Sequence, residues 1–174
     1  PVTDSLETYG YLLFQEALGV SAEHHRILDL EGGHNIRELG GYATMDGNHT
    51  KWQTFFRSAS LNELTSEAQD SLRKLGLATV VDLRLARELE EEPSVFAAST
   101  EPPIYVHIDI LIDGKPRPDP PAELAPEMRI AESYKFWLEE RQPGIRAALE
   151  TFARPGALPG LFNCAAGKDR TGII

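Results

Sequence analysis

The sequence predicts an α/β domain with a central, mostly parallel sheet flanked by helices. Short β-rich runs alternate with amphipathic helical segments, and glycine and proline turns separate them. The chain has 174 residues, of which 41% are hydrophobic and 25% charged, a composition typical of globular proteins. We therefore expect residues 1–174 to form a single domain.

Apolar runs and turn signals define the first part of the chain. Residues 4–19 carry leucines among polar residues, which is consistent with a helix or an irregular lead-in. The apolar run 27–30 is typical of a short strand. Glycine-containing turn signals at 40–42 and 46–48 then predict a hairpin that ends in residues 52–56.

Helices and strands alternate in the middle of the chain. Thr65 is placed to cap a helix that extends to about residue 75, where a glycine is placed to end it. Residues 78–83 have the character of a buried strand. A charged helix follows over residues 86–92, and its glutamates are expected to form a solvated face. A second β-rich run covers residues 104–108.

The last part of the chain leads to a cysteine at the end of a strand. Residues 116–121 form a proline-rich loop, and residues 145–152 form an amphipathic helix. Four residues lie at helical spacing, namely Ile130, Tyr134, Trp137 and Leu138. We expect the stripe of the first three to face the core. The β-rich run 160–162 leads directly into Cys164. Ligands of parallel sheets bind beyond the carboxyl ends of the strands, so this cysteine marks the predicted site.

Charge and cysteine content exclude several classes of partner. The net charge of −10 would repel nucleic acid and anionic membranes, so a phosphate-bearing ligand must be captured locally. No apolar segment is long enough for stable membrane insertion. The single cysteine excludes an internal disulfide. We expect a soluble protein, cytoplasmic or secreted without disulfides.

The segment 163–172 reads Asn-Cys-Ala-Ala-Gly-Lys-Asp-Arg-Thr-Gly. Because Ala165, Ala166 and Gly167 are small, the backbone can curl with its N–H groups pointing inward. Such a nest binds a tetrahedral dianion. A helix that begins at Thr171 would add free N–H groups and its dipole. The same field stabilises a thiolate.

Each polar side chain of this loop then has a chemical task. Cys164 is the expected nucleophile, which forms a phosphocysteine intermediate. The planar fork of Arg170 can grip two phosphoryl oxygens, and Lys168 adds a charge that suits substrates with further phosphates. Asp169 is a candidate acid for the leaving oxygen. The hydroxyl of Thr171 is expected to hydrogen-bond the sulfur.

These residues allow other interpretations. A nucleotide-binding loop would need a glycine at position 162 and a hydroxyl at position 169, and the sequence has neither. A buried cysteine beside an exposed basic turn is the structural alternative. The five histidines show no ligand spacing, so no metal is expected. Three further arginines either line the pocket or form salt bridges at strand ends, namely Arg37, Arg57 and Arg84.

Four ordered motifs resemble one family. The Cys-x5-Arg spacing of the loop is the signature of the protein tyrosine phosphatase superfamily, and its Cys-Ala-Ala-Gly-Lys-Asp-Arg-Thr-Gly form resembles the bacterial tyrosine and dual-specificity branch. Residues 35–41 are similar to the Asn-x-Arg-Asp-Leu-Gly-Gly element of that branch. Residues 56–61 resemble its Arg-Ser strand end. Residues 81–84, with Glu88 and Pro93 behind them, resemble its Asp-Leu-Arg block.

The resemblance implies a phosphatase fold without metal or cofactor. It implies hydrolysis of phosphate monoesters through phosphocysteine at Cys164, with phosphate bound by Arg170. The expected partners are phosphorylated proteins, phosphotyrosine first, and Lys168 biases the site towards phosphoinositide headgroups. The alternative is a non-catalytic phosphate-binding pseudophosphatase module, because Asn163 stands where this branch has histidine.

The identity of the general acid stays open under this resemblance. Asp169 resembles the loop aspartate proposed as the acid in the bacterial branch. Other relatives use an upstream aspartate, for which the candidates are Asp109, Asp113 and Asp119. Asp82 either supports the loop from its strand end or is a structural ion-pair partner. Members of this family continue for several helices beyond the loop, so we expect the domain to be truncated, with C-terminal helices missing after residue 174.

Overall fold

A five-stranded sheet forms the centre of the computed structural model, which describes residues 26–111, 119–120 and 123–174. Its strands are β1 (Arg37–Glu38), β2 (Phe55–Ser58), β3 (Thr79–Asp82), β4 (Ile104–His107) and β5 (Gly160–Asn163). The strand order is β1-β2-β5-β3-β4. β1 is antiparallel to β2, and all other neighbours are parallel. The predicted fold class is confirmed.

Helices flank this sheet. They are α1 (Ser66–Lys74), α2 (Ala86–Glu91), α3 (Pro126–Glu140), α4 (Gln142–Phe152) and the short 3-10 helix Arg170–Gly172. α1 begins where the sequence predicts, because the Thr65 hydroxyl accepts a hydrogen bond from the amide of Ala68. In the described part of the chain, no helix has the length and apolar character needed to cross a membrane.

The sheet buries apolar side chains on both of its faces. The cluster on the α1 face includes Phe56, Leu72, Val80 and Leu161. The cluster on the α4 face includes Val81, Ala148, Phe152, Phe162 and Cys164. Because successive strand residues point to opposite faces, β3 and β5 supply side chains to both clusters. The cysteine therefore lies on the α4 face of the sheet.

Some local predictions differ from the structure. Ile27 forms a single bridge with Arg37 instead of a strand over 27–30. The prediction that the apolar stripe of α3 faces the core is wrong, since Ile130 is 49% exposed and Tyr134 and Trp137 are only partly buried. Neither buried cluster of the described residues includes an α3 side chain. Helical spacing shows that a helix is amphipathic but does not show which neighbour covers it.

Other predicted elements are found in place. The turn signals at 40–42 and 46–48 belong to a hairpin closed by a bridge between Ala43 and His49. The predicted helix or lead-in at 4–19 and most of the proline-rich segment 116–121 lie outside the described residues.

Candidate active site

The central strand β5 delivers the cysteine to the site. β5 lies between β2 and β3 and runs parallel to both, and Cys164 follows its last residue directly. The cysteine is 2% exposed and packs in the cluster on the α4 face. The site therefore lies beyond the carboxyl ends of three parallel strands, where parallel sheets bind ligands.

Side chains from outside the loop hold its carbonyl groups. Asn35 Nδ2 donates to the carbonyl oxygen of Ala166 at 3.0 Å and to that of Gly167 at 3.2 Å. Arg57 Nη2 donates to the carbonyl oxygen of Gly167 at 2.7 Å and to that of Lys168 at 3.3 Å. Asn35 and Arg57, which both lie more than 100 residues before the loop, thus anchor one side of it.

These bonds determine where the loop amides point. The amide of Ser60 adds a hydrogen bond to the carbonyl oxygen of Ala165 at 3.0 Å, so four successive carbonyls are held from outside. In a planar trans peptide, the N–H of the next residue points opposite to the carbonyl. The amides of residues 166–169 therefore face the other side of the loop. This is the arrangement that an anion-binding nest requires.

Gly167 is needed at its position for two reasons. Its φ is +65°, in the left-handed region that favours glycine. A Cβ at this position would lie 2.5 Å from the carbonyl carbon and oxygen of Ser58. A side chain would therefore push the loop away from the end of β2.

Glu88 holds Arg170 in a bidentate ion pair. Arg170 Nη1 lies 2.5 Å from Glu88 Oε2, and Nη2 lies 2.8 Å from Oε1. The Arg170 side chain is only 13% exposed. Arginine has five N–H donors, and this pair uses two of them, so three remain for another anion. Arg170 is therefore oriented by Glu88 and keeps donors for an anion in the loop.

The ion pair shifts the pKa values of both partners. The hydrogen bond from Arg170 lowers the pKa of Glu88 to about 2. Burial opposes the charge of Arg170, but the hydrogen bonds and charge of Glu88 outweigh burial and raise its pKa. Both groups are therefore charged throughout the physiological pH range.

Glu88→Gln is expected to lower the free energy of unfolding at neutral pH by about 1–3 kcal/mol, because a charged hydrogen-bonded pair is lost. The pKa of Glu88 falls from an ordinary 4.5 to about 2 on folding, so its contribution is present above pH 4.5 and is lost as pH falls towards 2. Urea unfolding of both proteins at several pH values measures this. A difference that stays constant down to pH 2 would contradict it.

Asp169 makes two hydrogen bonds through one carboxylate oxygen. The Tyr134 hydroxyl of α3 and Lys168 Nζ both donate to Asp169 Oδ1. Burial raises the pKa of Asp169, but the bonds from Lys168 and Tyr134 outweigh it and lower the pKa overall. The carboxylate is therefore ionised in the free protein.

Three cations interact electrostatically with Cys164. Negative charge on Cys164 favours the protonated forms of Arg57, Lys168 and Arg170, so all three lie within electrostatic range of it. The cysteine is also a member of the apolar cluster on the α4 face. The basic residues near the buried cysteine are thus coupled to it electrostatically.

Comparison with known proteins identifies the family. The sequence profile of the tyrosine phosphatase family matches residues 28–174. The chain belongs to this family. It is 33% identical over 122 residues to a tyrosine-protein phosphatase of Nostoc commune, covering 69% of this chain and 40% of that protein. It is 32% identical over 147 residues to a putative tyrosine-protein phosphatase of Cupriavidus necator, covering 80% of this chain and 51% of that protein. The chain thus spans about half the length of these relatives or less.

The hydrogen bonds of the Asp82 carboxylate go to residues outside the loop. Asp82 shares the sheet face of Val80, opposite to that of Cys164. Its carboxylate binds Arg84 Nε and Nη2, with Nη2 to Oδ2 at 2.9 Å, and it accepts a hydrogen bond from the Tyr105 hydroxyl at 3.1 Å. Burial beside Asp82 raises the pKa of Tyr105. The ion-pair alternative for Asp82 is the one that the structure supports.

The upstream aspartates are alternative candidates for the general acid, and the structure describes two of the three. Asp109 lies within electrostatic range of Arg170 and accepts a hydrogen bond from the Leu111 amide at 2.9 Å. Asp119 is exposed, and Asp113 lies outside the described residues. Of the described upstream candidates, only Asp109 is thus seen to interact with the loop arginine.

Two polar side chains next to the loop differ from expectation. The hydroxyl of Thr171 is buried without a hydrogen-bond partner among the described residues, so the expected bond to the sulfur is not formed. The helix expected to begin at Thr171 is the short 3-10 helix Arg170–Gly172, whose turn is tighter than that of an α-helix. The side-chain amide of Asn163 is fully buried, and neither its oxygen nor its nitrogen has a hydrogen-bond partner among the described residues.

The sequence interpretation gave no role at the loop to Glu88 or Asn35, and it left two alternatives open for three arginines. The glutamates of α2 were expected to be solvated, which is wrong for Glu88. Arg57 anchors the loop and Arg84 forms a buried ion pair, whereas Arg37 donates to Asn35. A signal existed, because Glu88 and Asn35 both fall in motifs shared with the family.

Proposed function

We propose that this protein hydrolyses phosphate monoesters as a protein-tyrosine phosphatase, through a phosphocysteine intermediate at Cys164. The observation that carries the proposal is the loop itself. Its carbonyls are held outward, so its amides face the anion side, and Arg170 is oriented by Glu88 at its end. Membership of the tyrosine phosphatase family supports the same reaction.

In the first step, the thiolate of Cys164 attacks phosphorus, and the bond to the leaving oxygen breaks. The leaving oxygen keeps the electron pair and takes a proton from Asp169. Arg170 and the loop amides bind the phosphoryl oxygens as charge moves onto them. In the second step, water attacks phosphorus, Asp169 takes a proton from this water, and Cys164 leaves as a thiolate.

The ionised state of Asp169 in the free protein bears on the first step. A phosphate monoester has a second pKa near 6, so part of the substrate binds as a monoanion that carries a proton. This proton can pass to Asp169 inside the site, because the remaining dianion favours a neutral carboxyl beside it. Asp169 fits the role of the acid better than Asp109, because it belongs to the same loop as Cys164 and Arg170.

Phosphotyrosine in proteins is the proposed substrate, with phosphoserine, phosphothreonine and phosphoinositides as further substrates. Lys168 supports the wider range, because its side chain is 67% exposed at the edge of the loop. Its ammonium group can bind a second phosphate when it leaves Asp169. Asn163 favours a second candidate function, a phosphate-binding module without turnover, because its buried amide has no partner among the described residues.

Rapid mixing with p-nitrophenyl phosphate is expected to release a burst of nitrophenol equal to the protein concentration, followed by slower turnover. The burst reports formation of phosphocysteine before hydrolysis. Saturable binding of vanadate without a burst or turnover would instead favour the binding module. The burst and the vanadate binding are measured on the same protein sample. The vanadate titration therefore gives the fraction of protein with a functional loop even when no burst appears.

A further inference from the structure

We propose that Tyr134 is a positioning residue for the general acid: its hydroxyl fixes Oδ1 of Asp169 so that Oδ2 faces the leaving oxygen. This inference rests on the proposed function, in which Asp169 gives that proton. Tyr134 belongs to α3, whose apolar stripe was predicted from the sequence to face the core.

Asp169 is held through one of its two carboxylate oxygens. Tyr134 Oη and Lys168 Nζ both donate to Oδ1, and within the described residues Oδ2 of Asp169 receives no side-chain hydrogen bond. A carboxylate held at one oxygen by two donors has a fixed plane. Its second oxygen then points in one direction, as a positioned acid requires.

Lys168 and Tyr134 are not equivalent as anchors. Lys168 belongs to the loop, and its side chain is long, flexible and 67% exposed, so a substrate phosphate can draw it away. Tyr134 comes from α3 and has few rotatable bonds, and its ring packs beside that of Trp137 with 5.7 Å between the ring centroids. Tyr134 is therefore the anchor that stays when substrate binds.

The tyrosine also remains a hydrogen-bond donor. Its hydrogen bond to Asp169 raises the pKa of Tyr134 above the ordinary value of 10. The phenol therefore keeps its proton over the pH range in which a phosphatase of this kind would act. Phenylalanine at this position would keep the ring and remove only the donor.

The test compares kcat/KM for phenyl phosphate and 2,4-dinitrophenyl phosphate, since kcat/KM reports the step that breaks the ester bond. Phenolate needs a proton to leave, and dinitrophenolate does not. Tyr134→Phe is expected to lower kcat/KM about tenfold for phenyl phosphate and less than twofold for the dinitrophenyl ester. The quantity compared between variants is the ratio of kcat/KM for phenyl phosphate to kcat/KM for the dinitrophenyl ester. Because both values come from the same sample, its folded fraction cancels.

The matched control is Lys135→Met, the neighbouring α3 residue, which is 64% exposed and forms a surface pair with Glu132. Its ratio should equal that of the wild type. Equal losses on both esters in Tyr134→Phe, or a ratio like that of the control, would overturn the positioning role.

Asp169→Asn separates this inference from the proposed function. If Tyr134 acts through Asp169, Tyr134→Phe has no further effect on the ratio in the Asp169→Asn background. A persistent effect there would overturn the inference alone. If Asp169→Asn leaves the ratio at the wild-type value, the acid assignment in the proposed function is wrong, and the role of Tyr134 fails with it.

Discussion

Cys164→Ser is expected to abolish turnover of p-nitrophenyl phosphate, with a loss of about 10⁴-fold or more, while phosphate binding is retained. A serine hydroxyl has nearly the size of a thiol but is a far weaker nucleophile without a general base. The groups proposed to bind the anion are the loop amides and Arg170, and their anchors Asn35 and Glu88 are unchanged. Steady-state kinetics and calorimetry with inorganic phosphate measure the two effects.

The single cysteine of the sequence provides an independent control. Iodoacetate should alkylate one residue, in step with loss of activity, and inorganic phosphate should slow the reaction because it occupies the loop. Activity that survives in Cys164→Ser would remove the phosphocysteine mechanism. Loss of phosphate binding in that variant would show that the sulfur, and not the loop, captures the anion.

Arg84→Met is expected to lower the free energy of unfolding by about 3–5 kcal/mol. The side chains of Arg84 and Asp82 are both 0% exposed and lie 2.9 Å apart. Methionine would leave the Asp82 carboxylate buried with the Tyr105 hydroxyl as its remaining side-chain partner. The bond from Arg84 Nη1 to the carbonyl oxygen of Glu92, which holds the end of α2, would also be lost. Urea unfolding measures the change.

A surface ion pair provides the control for this variant. Arg146 pairs with Glu150 at 3.6 Å, and its side chain is 77% exposed, so Arg146→Met should change stability by less than about 1 kcal/mol. The double variant Asp82→Leu with Arg84→Met should lose less than Arg84→Met alone, since no unpaired buried charge remains. Equal effects of Arg84→Met and Arg146→Met would show that the buried pair is not important for stability.

Much of the fold could be predicted from the sequence because its signals are local. The capping hydroxyl of Thr65 and the buried run of β3 each lie within one segment, and the structure has both in place. The strand order and the packing of α3 could not be predicted. They depend on which segments meet, and periodicity reports only that an apolar face exists.

The candidate site shows the same division. The loop could be predicted from the sequence, because the cysteine, the small residues and Arg170 lie within ten residues, and their chemistry follows from that spacing. Which side chains orient this loop depends on how the chain folds. Glu88 lies 82 positions from Arg170, Asn35 lies 131 from Ala166, and Tyr134 lies 35 from Asp169. Hydrogen bonds and charges act through space, so pairs so distant along the chain leave no spacing in the sequence to interpret.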